Sequence, residues 1–231
     1  MKKAVPTFLL IIALFVKHGY TQENNTKHFE IDAMVGMHHY SSTFFHALNT
    51  VTWTQNPAGD YTEFSGYGSS ILPSFQITYF FKNNVGITTG IIPITAENDL
   101  FVDNANSTNY SYGIDQFNIN IGVSGRINPT VSPVSINVGS GFIIAPFNIS
   151  ESISSATGGS YLTGNDAGLG FYGHAAFKIK IIPLLSFKTE FVYSYIPASI
   201  TLYGADGNIE QNTENLNIGG LTLKPGFTFH F

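Results

Sequence analysis

The chain has 231 residues, of which 11% are charged and 14% aromatic, with 20 Phe, 12 Tyr, 23 Gly and no Cys. Charge this sparse lies well below that of an ordinary soluble domain, and abundant aromatics and glycine favour strands and turns over helices. A net charge of -5 with only ten Lys and Arg excludes a basic nucleic-acid footprint, and the lack of Cys excludes disulfides, thiol catalysis and Cys-ligated zinc.

The first element is a leader. Lys2 and Lys3 precede an apolar run from Phe8 to Val16. That is the layout of a secretory signal peptide, and the run is shorter than the roughly 20 residues a membrane-spanning helix needs. No clean Ala-x-Ala site follows, and processing is expected between Gly19 and Glu23. Residues 1–22 are therefore read as a signal peptide and 23–231 as a single domain.

From residue 29 onward the apolar residues recur with period two, the signature of strands. The first stretch is Phe29, Ile31, Ala33, Val35 and Met37. The second is Ile71, Phe75, Ile77, Tyr79 and Phe81, and the third Val85, Ile87, Thr89 and Ile91. The fourth is Phe117, Ile119, Ile121 and Val123. The fifth is Val134, Ile136, Val138, Phe142 and Ile144. The sixth is Leu169, Phe171, Ala175, Phe177 and Ile179, and the seventh Leu185, Phe187, Phe191, Tyr193 and Tyr195. The eighth is the terminal Leu221, Leu223, Phe227, Phe229 and Phe231. Gly, Ser, Thr, Asn and a few charges fill the alternate positions.

Each stretch runs about 10 to 13 residues, whereas strands of globular proteins average five or six and a bilayer-spanning strand needs about 9 to 11. Connectors alternate between tight turns, at 82–84, 126–133 and 182–184, and long polar segments near 41–67, 96–113, 147–167 and 197–218. Short turns at one end and long loops at the other are the plan of an outer-membrane barrel. A soluble lipocalin-like barrel also alternates, but its outer face would be rich in Lys, Glu and Asp. Here the bulky flank is nearly free of charge, as lipid requires, and the small polar flank suits a narrow bore. The expected fold is an all-β, eight-stranded, antiparallel up-and-down transmembrane β-barrel. The odd-numbered flank would face lipid and the even-numbered flank a tight, hydrated bore. Residues 50–54 and 61–64 flank turn chemistry at 56–60 and read as the first two strands continuing outward, with ten strands as the alternative. Pro73, Pro93 and Pro225 lie on the bulky flank and are expected near rims or bulges, because each removes a ladder donor.

At Phe227, Phe229 and terminal Phe231 the chain resembles the small Gram-negative outer-membrane barrels of the OmpA transmembrane-domain, OmpX and OmpW type. The resemblance covers about residues 27–231. It implies an outer-membrane location, a surrounding of outer-membrane lipid and lipopolysaccharide, and insertion by the barrel-assembly machinery, with those three aromatics as the assembly signal. No periplasmic domain follows the barrel, so peptidoglycan anchoring is not carried over from full-length OmpA.

The chemistry is concentrated in the polar flank. Glu30, Asp32, Lys178, Lys180, Lys188, Glu190 and Lys224 should all point into the bore, where a desolvated charge must be paired. The hairpin at Pro183 is expected to bring Lys178 and Lys188 beside Glu190, and closure to bring Lys224 to Glu30 or Asp32. Such a cluster is a salt-bridged plug or, alternatively, a gate whose pairs exchange partners. Gly168, Gly170 and Gly173 match a dinucleotide fingerprint in letters only, since no helix follows. His38 and His39 are adjacent and face opposite ways on a strand, so they cannot chelate together. His174 and His230 are expected in the bore, and Ser41, Ser42 and His46 lie near a rim. The Asn-x-Ser/Thr sequons, including Asn106 and Asn148, are what Asn-rich loops yield by chance. No cofactor, metal or catalytic residue is assigned. The leading expectation is a non-enzymatic structural or surface-interaction barrel whose long loops meet extracellular or envelope protein partners. The alternatives are a narrow, porin-like channel for ions or small amphipathic solutes, and an acyl enzyme acting on lipid A.

Overall fold

The computed structural model of the protein describes residues 29–40, 72–82, 84–103, 108–127, 133–155, 158–204 and 209–231. The leader at 1–22, the hairpin read within 50–64, and Ser41, Ser42 and His46 lie outside these residues. The described residues form ten strands: β1 (Phe29–Tyr40), β2 (Leu72–Lys82), β3 (Val85–Asp103), β4 (Thr108–Ile127), β5 (Val134–Ser155), β6 (Gly158–Ile182), β7 (Leu185–Tyr195), β8 (Pro197–Tyr203), β9 (Ile209–Asn217) and β10 (Gly220–His230). Antiparallel pairing runs through β1 to β7, then to β10, and back to β1. Eight strands thus close the barrel. The extra two, β8 and β9, extend β7 and β10 outward in the same register: Pro197↔Asn217 continues Ser194↔Gly220, and Thr163↔Tyr203 continues Phe171↔Tyr195. The seam runs from Glu30↔His230 to Tyr40↔Gly220. It is finished by the Phe29 and Phe231 backbones, where each N–H donates to the other's carbonyl, at 3.3 and 2.9 Å.

The period-two pattern gives the wall two chemically different faces. Val35, Phe75, Ile87, Ile121, Phe171, Phe191 and Phe227 stand exposed on the outside, while Asp32, Thr78, Asn118, His174 and Thr222 are buried inside. On β4 the outward apolar set runs from Phe117 to Ile127. Ten residues at about 3.3 Å, tilted by about 40°, give a belt about 25 Å tall, the thickness that hydrocarbon needs. In β5 the parity is reversed: even-numbered Ile136, Val138, Phe142 and Ile144 face out, and Asn137, Gly139 and Ile143 face in. Facing is set by register rather than by number. Ile127 pairs with Ile136, which passes the outward set from odd to even positions, and Phe142 pairs with Phe171, which passes it back.

Much of the wall extends well beyond a bilayer: β3 to β6 have 19, 20, 22 and 25 residues, and β8 and β9 extend β7 and β10 beside them. Much of what the sequence suggested as loop near 96–113 and 147–167 is therefore strand. Pro73 is the second residue of β2, but Pro93 lies inside β3, where the ladder to β4 runs through Pro93↔Phe117 without a bulge. The β2–β3 ladder ends at Phe75↔Ile91, two residues short of where the same register would bring Pro73 opposite Pro93. Pro225 also departs from the expectation: it lies in the middle of β10, without a bulge. The β1–β10 ladder skips from Met34↔Gly226 to Met37↔Leu223 in unchanged register, while Pro225 still pairs with Thr189 on the other side. The sheet tolerates the missing donor by giving up rungs on one side only.

The bore is layered, which the reading of a uniformly hydrated interior did not foresee. Its short-turn half is polar. Its outer half is an apolar core that includes Tyr40, Ile92, Ile94, Ile143, Phe147, Ile149 and Leu162, joined by Ile200 and Leu202 of β8, Leu216 of β9 and Ile218. The reason is local: along the outer part of the wall the bore-facing positions, such as Ile92, Ile94, Ile143, Phe147, Ile200 and Leu202, are apolar instead of polar. Gly164 allows β6 and its neighbour β8 to pack closely, because a Cβ there would lie 2.4 Å from the Thr201 carbonyl oxygen. Gly168 does the same for Ile196, whose Cγ2 would be 2.5 Å away. Close packing, and not phosphate binding, thus accounts for the glycine spacing near Gly168.

Candidate functional site

The polar half of the bore holds a network of buried charges. Glu30 on β1 accepts from Lys178 Nζ of β6 and from the Arg126 guanidinium of β4, and lies 3.1 Å from His230 Nδ1 of β10. Neither β4 nor β6 adjoins β1, so these bonds cross the lumen. Asp32 accepts from Lys188 Nζ at 2.6 Å, from Thr228 Oγ1 at 2.5 Å and from Gln76 Nε2 at 3.3 Å. Glu190 lies 2.6 Å from Lys224 Nζ, 2.7 Å from His174 Nδ1 and 3.3 Å from Lys188 Nζ. Lys188 therefore bridges Asp32 and Glu190. Three carboxylates meet one arginine, three lysines and two histidines in this network, and its carboxylates and lysines are all at most 2% exposed.

The local register explains part of this. Lys224 is the direct cross-strand partner of Glu190. Lys178 is directly opposite Lys188, a repulsive placement for like charges. It is relieved because Lys178 reaches across to Glu30 while Lys188 turns to Asp32 and Glu190. The expected meeting of Lys224 with Glu30 or Asp32 is thus replaced by Lys224 with Glu190, and Lys178 pairs with Glu30 instead of Glu190. Lys180 is exposed at the rim instead of pointing inward. Arg126 joins the network although no role was expected for it; its inward parity on β4 was the available signal. It also stacks over Phe80, 3.9 Å from the ring centroid, which adds cation–π attraction.

Ser186 Oγ is 2.7 Å from His230 Nε2, and His230 Nδ1 faces Glu30. The connectivity is that of a Ser-His-acid relay. Ser186, however, is 3% exposed, and the Glu30 carboxylate is shared with Arg126 and Lys178. Of the other histidines, His38 is hydrogen-bonded to Thr222 Oγ1 at 2.7 Å inside the bore, and His39 is on the outer face. Among the described residues no cluster of three or more His, Asp or Glu has the arrangement of a metal site. Phe227 and Phe229 are on the exposed outer face of the closing strand, beside Phe231 at its end.

No family model matches this chain, and no curated protein matches its sequence. Solved structures do match in shape. The outer membrane protein OprG of Pseudomonas aeruginosa superposes with a TM-score of 0.59 at 13% identity, over 89% of this chain and 96% of that one. A major outer membrane protein of Thermus thermophilus gives 0.56 at 13% identity, over 88% and 98%. Neisserial surface protein A gives 0.50 at 13% identity, over 88% and 97%. The chain folds as a small outer-membrane β-barrel.

The apolar belt and this fold together locate the barrel in the outer membrane, surrounded by lipid. No helix of the described residues is long and apolar enough to cross a membrane; the barrel crosses with strands. Toward its outer end, Asn217 organises the junction where β7 passes into β8 and β9 into β10. Its side-chain Oδ1 accepts from the Ile196 N–H at 2.9 Å and the Gly219 N–H at 3.0 Å, and the Ile218 N–H donates to the Ile196 carbonyl at 3.0 Å. Buried backbone groups that would be orphaned at this junction are thereby satisfied.

Proposed function

We propose that the barrel is a closed, non-enzymatic element of the cell surface, whose work is structural or lies in contacts made by its outer end. The observation that carries this reading is that the bore is filled at two heights. An ion-paired network blocks one half, and an apolar core of inward side chains from the outer wall blocks the other. A rigid closed cylinder is a scaffold. It holds the outer ends of β3–β6 and of the β8–β9 extension outward, where extracellular or envelope proteins would meet them. Phe227, Phe229 and Phe231 are proposed to serve as the signal for the barrel-assembly machinery during insertion, and 1–22 as the export signal that precedes it.

The network is also the part of the bore that the channel reading would open, by exchange of ion-pair partners. Reconstitution in planar bilayers separates the two. A flat current trace is expected for the natural protein, unchanged in Glu190→Ala and Lys224→Ala variants. Discrete conductance steps from the natural protein would overturn the closed reading. The acyl-enzyme reading turns on Ser186. A fluorophosphonate probe is expected to leave Ser186 unlabelled, and incubation with lipopolysaccharide to leave the acyl count of lipid A unchanged by mass. Labelling that vanishes in Ser186→Ala would reverse that conclusion.

A further inference from the structure

Above the belt, the outside of the β3–β6 wall changes character abruptly. The last apolar rung is Phe117 with Pro93 on β3, and Pro146 on β5. The next rung is polar: Asp115 pairs with Asn148, and Asn148 with Asn165. All three side chains point outward and are exposed. No described residue makes a hydrogen bond to the side chain of any of them. Outward side chains here are small beside the Phe and Ile of the belt, and the wall is dished. One depression of about 710 Å³ straddles the two rungs, and a second of about 440 Å³ continues it upward. Asp115, Asn148 and Asn165 line both, so they form one trough. Tyr161 and Tyr203 stand over its upper part, 57% and 42% exposed.

We infer that this trough binds the sugar headgroup of an outer-leaflet glycolipid. Its height selects an amphiphile. The lower lip is level with hydrocarbon and the upper lip stands above it, so an occupant must change from acyl chain to polar group at the same level. Its chemistry selects a sugar. Amide and carboxylate groups of Asn148, Asn165 and Asp115 can accept from and donate to ring hydroxyls, and exposed tyrosine faces stack on the apolar face of a pyranose. Charge argues against a bare phosphate, since Asp115 and Asp166 both line the lower trough and none of the described residues lining it is basic. The headgroup therefore lies flat against the wall, with its acyl chains continuing down over Pro146 and Phe117.

The test uses the whole folded protein in detergent micelles, with native mass spectrometry counting retained lipid. The probes are dephosphorylated lipid A, which keeps its amino-sugar disaccharide, and phosphatidylglycerol, which has no sugar. One copy of dephosphorylated lipid A is expected to persist at detergent concentrations that strip phosphatidylglycerol. Asn148→Leu/Asn165→Leu should lower that occupancy at least tenfold, and Tyr203→Ala should also lower it, while Phe171→Ala in the belt should not. Unboiled gel mobility checks that each variant is folded. Should the double Asn variant fail to fold, Tyr203→Ala decides the matter. Equal retention of both probes, or unchanged retention by the folded variants, means annular lipid only and overturns the site.

Discussion

Glu190→Ala is expected to cost about 3–5 kcal/mol of folding stability, the penalty for removing one partner of a buried ion pair. The size follows from what remains. Lys224 has Glu190 as its ion-pair partner, and Lys188 shares it with Asp32. His174 Nδ1 would lose its 2.7 Å contact as well. The ammonium of Lys224 would then be stranded at 1% exposure, in a bore too narrow to rehydrate it. Equilibrium unfolding in urea of the protein folded into lipid vesicles, followed by gel mobility, measures the loss. A double variant, Glu190→Leu with Lys224→Met, should cost less than the sum of its parts, because removing both charges leaves nothing unpaired. A cost below about 1 kcal/mol for Glu190→Ala would mean that water reaches these lysines, and the closed bore would be lost with it.

Phe142→Arg should cost about 2–4 kcal/mol, the depth-dependent penalty for a cation at the middle of a lipid-facing wall. Phe142 is 58% exposed in the absence of lipid and lies near the middle of the outward run from Ile136 to Pro146 on β5. It also stacks against Phe171, at 5.2 Å between ring centroids. On a water-facing surface the same substitution would be nearly neutral. Asn148→Arg, three outward positions higher and above the belt, is expected to cost at most about 1 kcal/mol. The contrast between the two sites, measured in the same vesicles, is the test. Equal costs would contradict a hydrocarbon boundary between them.

Much of the architecture was legible because alternation is a local property. Each of β1, β2, β7 and β10 announces itself within eleven or twelve residues, and the turn at Pro183 fixes its hairpin register. What lay across the bore was not legible. A cross-strand register names neighbours, so Lys224 with Glu190 was within reach of the argument once β7 and β10 are adjacent. Glu30 with Arg126 and Lys178 was not, because those partners come from strands that never pair with β1. The apolar outer core was hidden for another reason. Ile91-Ile92 and Ile143-Ile144 place an apolar residue on each face, and doublets of that kind blur the period-two signal just where a second surface is being covered. Part of that core comes from the short β8 and β9, inside a stretch rich in Asn, Gly and Asp that reads as loop. In β5 the alternation was visible and only its sense was misassigned, which shows that parity becomes meaningful after the ladder is known.

The outward extension of the wall also has a mechanical consequence. β3 to β6 have 19 to 25 residues, and β8 and β9 carry the β7 and β10 ladders outward beside them. At about 3.3 Å per residue, tilted by about 40°, roughly ten residues beyond the belt raise the upper edge about 25 Å above the hydrocarbon. Hydrogen-bonded sheet of that length is a stiff stalk. Whatever docks on its tip is held at a fixed standoff from the bilayer.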